Sequence, residues 1–151
     1  MPILMDYSQV MLASLFANLG NHTNVEVDLD HLRHMFLNSL RANVVKFKKD
    51  YGEMIICVDS KNSWRRDFFP YYKASRRKNR EESELDWPKL FEYINQIREE
   101  LNEHFPYKVL HVDTCEADDI IGVLCNELGT QLYGGGEKIL VLSSDKDYIQ
   151  L

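Results

Sequence analysis

The chain is poor in cysteine, with three residues in 151, Cys57, Cys115 and Cys125. An odd number without CxxC spacing offers neither a disulfide framework nor a cysteine zinc site, and fits a reduced cytosol. No apolar run reaches the roughly 18 residues of a membrane span, and no basic region followed by a long apolar one opens the chain. A soluble, cytoplasmic protein without a membrane partner is expected. No serine or cysteine stands in a recognisable nucleophile motif, so covalent catalysis is not expected. Gly134-Gly135-Gly136 precedes a strand candidate and lacks a following Lys-Ser/Thr, which makes it a flexible connection and not a phosphate loop. His31 and His34 share a helix face with no acidic or cysteine partner at metal spacing, and read as ordinary residues. No internal repeat is visible.

What is present suffices for one globular domain: 17.8 kDa, of which 44% is hydrophobic, enough to bury a single core. The net charge of −6 taken alone argues against a polyanionic partner. The average hides a segregation of sign. Between Lys61 and Arg80 stand eight basic residues and one acid, a local charge of +7, which leaves −13 for the remainder. A basic segment beside an acidic cluster suits a polyanion held by one surface and cut at another.

Strand and helix signals alternate. Strands are predicted at Pro2 to Asp6, Met54 to Asp59, Tyr107 to Val112 and Ile139 to Ser144. Helices are predicted from Ser8, as N-cap, to Leu19 with Gly20 closing it; from Asp28 to Tyr51, with Gly52 as C-cap; from Trp87, capped by Asp86, to Phe105; and from Cys115, capped by Thr114, to Leu128. The order implies an α/β fold, a mainly parallel central sheet with flanking helices and right-handed crossovers.

Seven carboxylates fall in four clusters: Asp6, Asp59, the run Glu116, Asp118 and Asp119, and the pair Asp145 and Asp147. Three clusters end hydrophobic strands and one opens a helix. Ligands collect beyond the carboxyl ends of parallel strands, so acids there converge. Two like charges at ~4 Å repel by about 4 kcal/mol at an effective dielectric of ~20. All-oxygen ligands select hard divalent cations, Mg²⁺ or Mn²⁺. Each acid alone reads as a turn or helix-cap residue, whereas together they point to a metal site in a phosphodiester-cleaving enzyme. In the basic segment Trp64, Phe68, Phe69, Tyr71 and Tyr72 are interleaved with cations, giving stacking surfaces beside phosphate neutralisers. Arg76, Arg77 and Arg80 fall at helical spacing and would share a face if the segment becomes helical on binding.

The combination Met5-Asp6-Tyr7-Ser8, Cys57-Val58-Asp59, Trp64-Arg65-Arg66-Asp67-Phe68, Tyr71-Tyr72-Lys73, Arg80-Glu81-Glu82-Ser83, Glu116-Ala117-Asp118-Asp119 and Ser143-Ser144-Asp145-Lys146-Asp147 closely resembles the 5′-nucleases of the flap endonuclease superfamily, in their T-even phage ribonuclease H branch. The resemblance implies a PIN-like nuclease core and a divalent-metal-dependent 5′-to-3′ exonuclease and flap endonuclease. Such an enzyme removes RNA primers or 5′ flaps during DNA replication in an infected bacterial cell. By the resemblance, Asp6, Asp59, Glu116 and Asp118 surround a first ion with Asp145 close by, while Asp147 and Asp119 serve a second. Asp6, Asp59, Glu116, Asp118, Asp145 and Lys73 would then be catalytic. Residues 61–85 match a basic arch in which Arg65, Arg66, Tyr72, Lys73, Arg76, Arg77, Lys78 and Arg80 contact nucleic acid. The implied partners are DNA and RNA–DNA hybrids with 5′ ends or flaps, and replication proteins such as a single-stranded-DNA-binding protein. Family members continue past the Asp-x-Asp motif with further strands, another metal-site aspartate and a duplex-gripping helical hairpin. Residues 1–151 therefore read as the N-terminal catalytic domain, to be completed by a C-terminal part. Two other functions compete: a catalytically deficient nucleic-acid-binding fragment that requires a complementary C-terminal chain, and a phosphatase with Asp6 as nucleophile, which would need an aspartate where Ser8 stands.

Overall fold

A computed structural model describes residues 1–19, 27–81, 83, 85–129, 136 and 138–151, with the side chain of Arg77 excluded. Four parallel strands form one sheet: β1 (Ile3–Asp6), β2 (Met54–Val58), β3 (Lys108–His111) and β4 (Leu140–Leu142), in the order β3-β2-β1-β4. The register pairs Ile3 with both Met54 and Leu140, and Ile55 with Lys108. Because side chains alternate along a strand, Ile3, Met5, Met54, Ile56 and Val58 enter one core while Leu4 and Cys57 enter another. Three helices cover the first face: α1 (Tyr7–Leu19), α2 (Leu29–Tyr51) and α5 (Trp87–His104). On the second face Ala117, Ile120 and Ile121 of α6 (Ala117–Gly129) pack against Leu4 and Cys57. Burial pushes the Cys57 thiol up to about 12.

The predicted N-cap of α5 is observed, Asp86 accepting from Lys89 N, and Asp28, where the long helix is expected to begin, caps it instead by accepting from His31 N. Gly52 takes φ 80°, and a Cβ there would meet the Met1 carbonyl oxygen at 2.8 Å, so only glycine ends α2 without strain. Two caps differ from expectation. Helix α1 is capped by Asp6, not Ser8: Gln9 N donates to Asp6 Oδ1 at 3.1 Å. Helix α6 begins at Ala117, and Thr114 is no cap. It takes φ 65°, held by its N–H bond to Ser60 Oγ and by Trp64 N donating to its carbonyl. Asp119 does the capping, accepting from Glu116 N at 2.9 Å.

Among the described residues of the 61–85 segment two short pieces are helical, α3 (Arg65–Phe68) and α4 (Ala74–Glu81). The expected stop at Gly20 and the glycines at 134–135 lie outside the described residues. Among the described residues no helix is long and apolar enough to cross a membrane. The chain returns to pair β4 beside β1 after β2 and β3 have built the other side. The topological switch therefore lies between β1 and β4, and at their carboxyl ends a crevice opens.

Candidate metal and nucleic-acid site

Asp6 ends β1, Asp59 follows β2, Asp118 lies in the first turn of α6, and Asp145 follows β4. These four carboxylates line one cleft of about 80 Å³, with Lys73 and Arg76 on its wall. A second cleft of about 120 Å³ is lined by Arg65, Asp118, Asp145 and Asp147. The two share Asp118, Asp145 and Tyr148. The donor set is wholly hard oxygen and fits Mg²⁺ or Mn²⁺ by chemistry and by position. As the side chains stand, no three described acids, histidines or cysteines gather round one point closely enough to hold an ion.

Hydrogen bonds account for that aim. Asp6, 6% exposed, accepts from Gln9 N and, at 3.1 Å, from Tyr148 Oη. Asp59 Oδ1 accepts from Ala117 N at the start of α6. Glu116, 8% exposed, accepts from Lys73 Nζ at 2.8 Å, from Tyr72 Oη at 2.8 Å and from Arg65 Nη1 at 3.3 Å. Asp119 receives both terminal nitrogens of Arg65 at 2.8 Å and Trp64 Nε1 at 3.1 Å. Asp145 caps a 3₁₀ turn, Lys146–Gln150, by accepting from Asp147 N, and Ser143 Oγ accepts from Asp145 N. Ser144 Oγ is instead within 3.0 Å of Gln9 Oε1.

The charges feel one another. Burial raises Asp6 to about 6, with the Asp59 and Asp118 charges pushing the same way against the bonds from Gln9 and Tyr148. Asp118 is also raised, by burial and by Glu116 and Asp119 against the pull of Arg65. Burial would raise Asp119, but the Arg65, Glu116 N–H and Trp64 bonds outweigh it and hold the carboxyl below its ordinary value. For Lys73, burial pulls down while the Glu116 and Tyr72 bonds push up, and the ammonium ends above its ordinary value.

The arch cations divide into two groups. Arg65 and Lys73 are turned inward onto α6. The Arg80 guanidinium lies 5.2 Å from the Trp87 ring and 4.8 Å from that of Phe91, with its pKa lowered by burial and by Arg76 and Arg66. It is packed on α5, away from the acids. Arg66, Arg76 and Lys78 are exposed, as are Phe68, Phe69 and Tyr71. Nothing is described of the Arg77 side chain. Tyr148 escaped the sequence reading. Its signal is the i, i+3 relation to Asp145, since those positions eclipse one another in a 3₁₀ turn.

The family model of the 5′-3′ exonuclease N-terminal, resolvase-like domain matches residues 2–151. The chain is 40% identical over 151 residues to "Ribonuclease H" of Enterobacteria phage T4, covering 98% of this chain and 48% of that protein. It is 36% identical over 110 residues to a "5′-3′ exonuclease" of Buchnera aphidicola subsp. Acyrthosiphon pisum, covering 72% and 34%. The chain thus spans about half the length, or less, of the curated relatives it matches. The solved structure of T5 5′-exonuclease superposes with a TM-score of 0.65 at 17% identity, over 99% of this chain and 51% of that one, and shares the fold. The parallel sheet, the acids at its carboxyl edge and the match along residues 2–151 agree, and the chain belongs to the 5′-3′ exonuclease N-terminal domain family.

Proposed function

We propose that this chain is the catalytic domain of a divalent-metal-dependent phosphodiesterase that cleaves nucleic acid from 5′ ends, as a 5′-to-3′ exonuclease and flap endonuclease. The observation that carries this reading is the single cleft in which Asp6, Asp59, Asp118 and Asp145, from four separate elements, meet beside Lys73 and Arg76. T5 5′-exonuclease, of the same fold, has been crystallised with divalent metal ions (zinc) bound. In this chain Asp6, Asp59, Asp118 and Asp145, with Glu116 once it turns inward, would hold a first ion. Asp147 would serve a second with Asp118 and Asp145, and Asp119 only if released from Arg65. Such ions supply Lewis acidity and neutralise charge at the scissile phosphate.

The chain's own groups do the rest. Lys73 and Arg76 place positive charge on the wall of the acidic cleft, where a scissile phosphate would otherwise be repelled. Tyr148 and the Gln9 N–H fix the Asp6 carboxylate. Exposed Arg66, Arg76 and Lys78 neutralise backbone phosphates, and Phe68, Phe69 and Tyr71 offer stacking faces for unpaired bases. On this reading residues 61–85 are the arch and 1–151 the catalytic domain. The substrates are DNA and RNA–DNA hybrids with 5′ ends or flaps, in the removal of primers or flaps during phage DNA replication. A single-stranded-DNA-binding protein is the partner such a substrate implies.

Asp59→Asn and Asp145→Asn should each weaken Mg²⁺ or Mn²⁺ binding by calorimetry and abolish flap cleavage. Unchanged ion affinity in both variants would remove the metal site from this cleft. Flap binding without cleavage, with turnover restored by adding a C-terminal chain, would favour the alternative of a binding fragment that acts only with a complementary partner.

A further inference from the structure

The buried acid that immediately precedes α6, Glu116, is occupied by the arch. Lys73 Nζ and Tyr72 Oη each reach a different oxygen of Glu116 at 2.8 Å, and Arg65 holds Asp119 with two nitrogens. Exposed ion pairs contribute little and are common. Three observations separate this set from them. Glu116 is almost fully buried. Lys73 takes φ 56°, a left-handed conformation that strains a residue with a β-carbon and persists only where surrounding contacts enforce it. Its ammonium also sits 5.0 Å from the Tyr72 ring centre, so ring and cation approach the carboxylate as one unit. Two of the acids, Glu116 and Asp119, are thereby turned toward protein cations, while Asp6, Asp59 and Asp145 are held by backbone N–H groups and Tyr148, and no three described acids enclose a point.

We propose that Lys73 and Tyr72 form a latch on Glu116 that a divalent cation displaces, so that ion binding and release of the arch are coupled. The inference rests on the metal reading given above and adds a direction to it. A compact ammonium with three donors satisfies Glu116 when no stronger cation competes. A dication beside the carboxylates repels Lys73 and takes its acceptor. The freed ammonium is then available to a phosphate at the same cleft, which Lys73 already lines. By linkage the effect is reciprocal: whatever opens the latch strengthens ion binding by the factor with which the ion opens the latch.

Calorimetric Mg²⁺ and Mn²⁺ titrations of the wild-type chain, Lys73→Ala and Tyr72→Phe, with hydrogen exchange of the 64–81 amides with and without the ion, test it. Lys73→Ala should bind the ion roughly fivefold more tightly, or better, as expected for loss of one half-buried competing charge-assisted bond. Tyr72→Phe, which leaves every charge in place, should tighten binding by about twofold. In the wild type the ion should speed exchange across 64–81, and in Lys73→Ala exchange should already be fast and respond little. Unchanged or weaker ion binding in Lys73→Ala, or arch exchange that slows or stays constant on adding the ion, overturns the latch while leaving the metal site standing. Absence of ion binding in both the wild type and Lys73→Ala overturns the latch and the metal reading together.

Discussion

Asp6→Asn should make the metal-free protein more stable. Burial, reinforced by Asp59 and Asp118, raises the Asp6 carboxyl from an ordinary 3.8 to about 6. The folded state therefore binds this proton more tightly than the unfolded chain does, and the stability associated with it is present below pH ~4 and lost as pH rises through about 6. At ~1.4 kcal/mol per pH unit the cost at neutral pH is about 3 kcal/mol. Asparagine has no proton to lose and keeps an oxygen for the Gln9 N–H, but places an amide beside Tyr148 Oη. A net gain of about 1 to 3 kcal/mol is expected, since one hydrogen bond must rearrange. For a domain of this size that corresponds to a Tm higher by about 3 to 10 °C. Thermal unfolding in a chelator at about pH 7.5 and about pH 4 measures it, and the two proteins should converge at the lower value. Adding Mg²⁺ should then raise the wild-type Tm and narrow the gap. An Asn variant that melts no higher near neutral pH, or a gap that does not change with pH, would refute the idea that charge at this position is held at the expense of the fold.

Arg65→Ala should destabilise by about 1 to 3 kcal/mol in urea unfolding, because it strips Asp119 of a two-nitrogen partner in a half-buried setting; a loss below about 0.5 kcal/mol would make this a surface pair. Gly52→Ala should cost at least about 1 kcal/mol, since it strains φ 80° and drives a Cβ against the Met1 carbonyl; a neutral result would mean the N-terminus shifts freely. Replacing exposed Arg66 and Arg76 with Ala should flatten the salt dependence of flap binding by about one released counterion per lost phosphate contact. Arg80→Ala should leave that slope nearly unchanged, because its guanidinium is stacked on Trp87 and Phe91; equal slopes for all three variants would contradict the division of the arch.

Strands β1 and β2 are legible as apolar runs because both their faces are covered, Leu4 and Cys57 on one side and Ile3, Met5 and Ile56 on the other. Helices α2 and α5 are legible because an apolar stripe and a capping aspartate coincide at Asp28 and Asp86. The start of α6 is not, since Thr114 is set by bonds to Ser60 and Trp64, which are distant in the chain. No local preference of threonine announces a left-handed residue. The cap of α1 was legible in principle: Asp6 and Gln9 stand at the spacing of a capping box, and attention to Ser8 conceals that the same carboxylate both starts a helix and faces the cleft.

The carboxylates and the cations were not equally readable. Short Asp side chains on strand ends and a helix start have little reach, so the backbone topology alone carries Asp6, Asp59, Asp118 and Asp145 to one cleft. Long basic side chains have more conformational freedom, and composition says only that they must find negative charge. Arg65 finds it on Asp119 and Lys73 on Glu116, and Arg80 finds aromatic faces, while Arg66 and Arg76 are exposed. A charge count of the arch thus overstates what is ready for a phosphate. The acids hold part of that positive charge, and on the proposed latch a divalent cation that takes the acids would return it to the cleft surface.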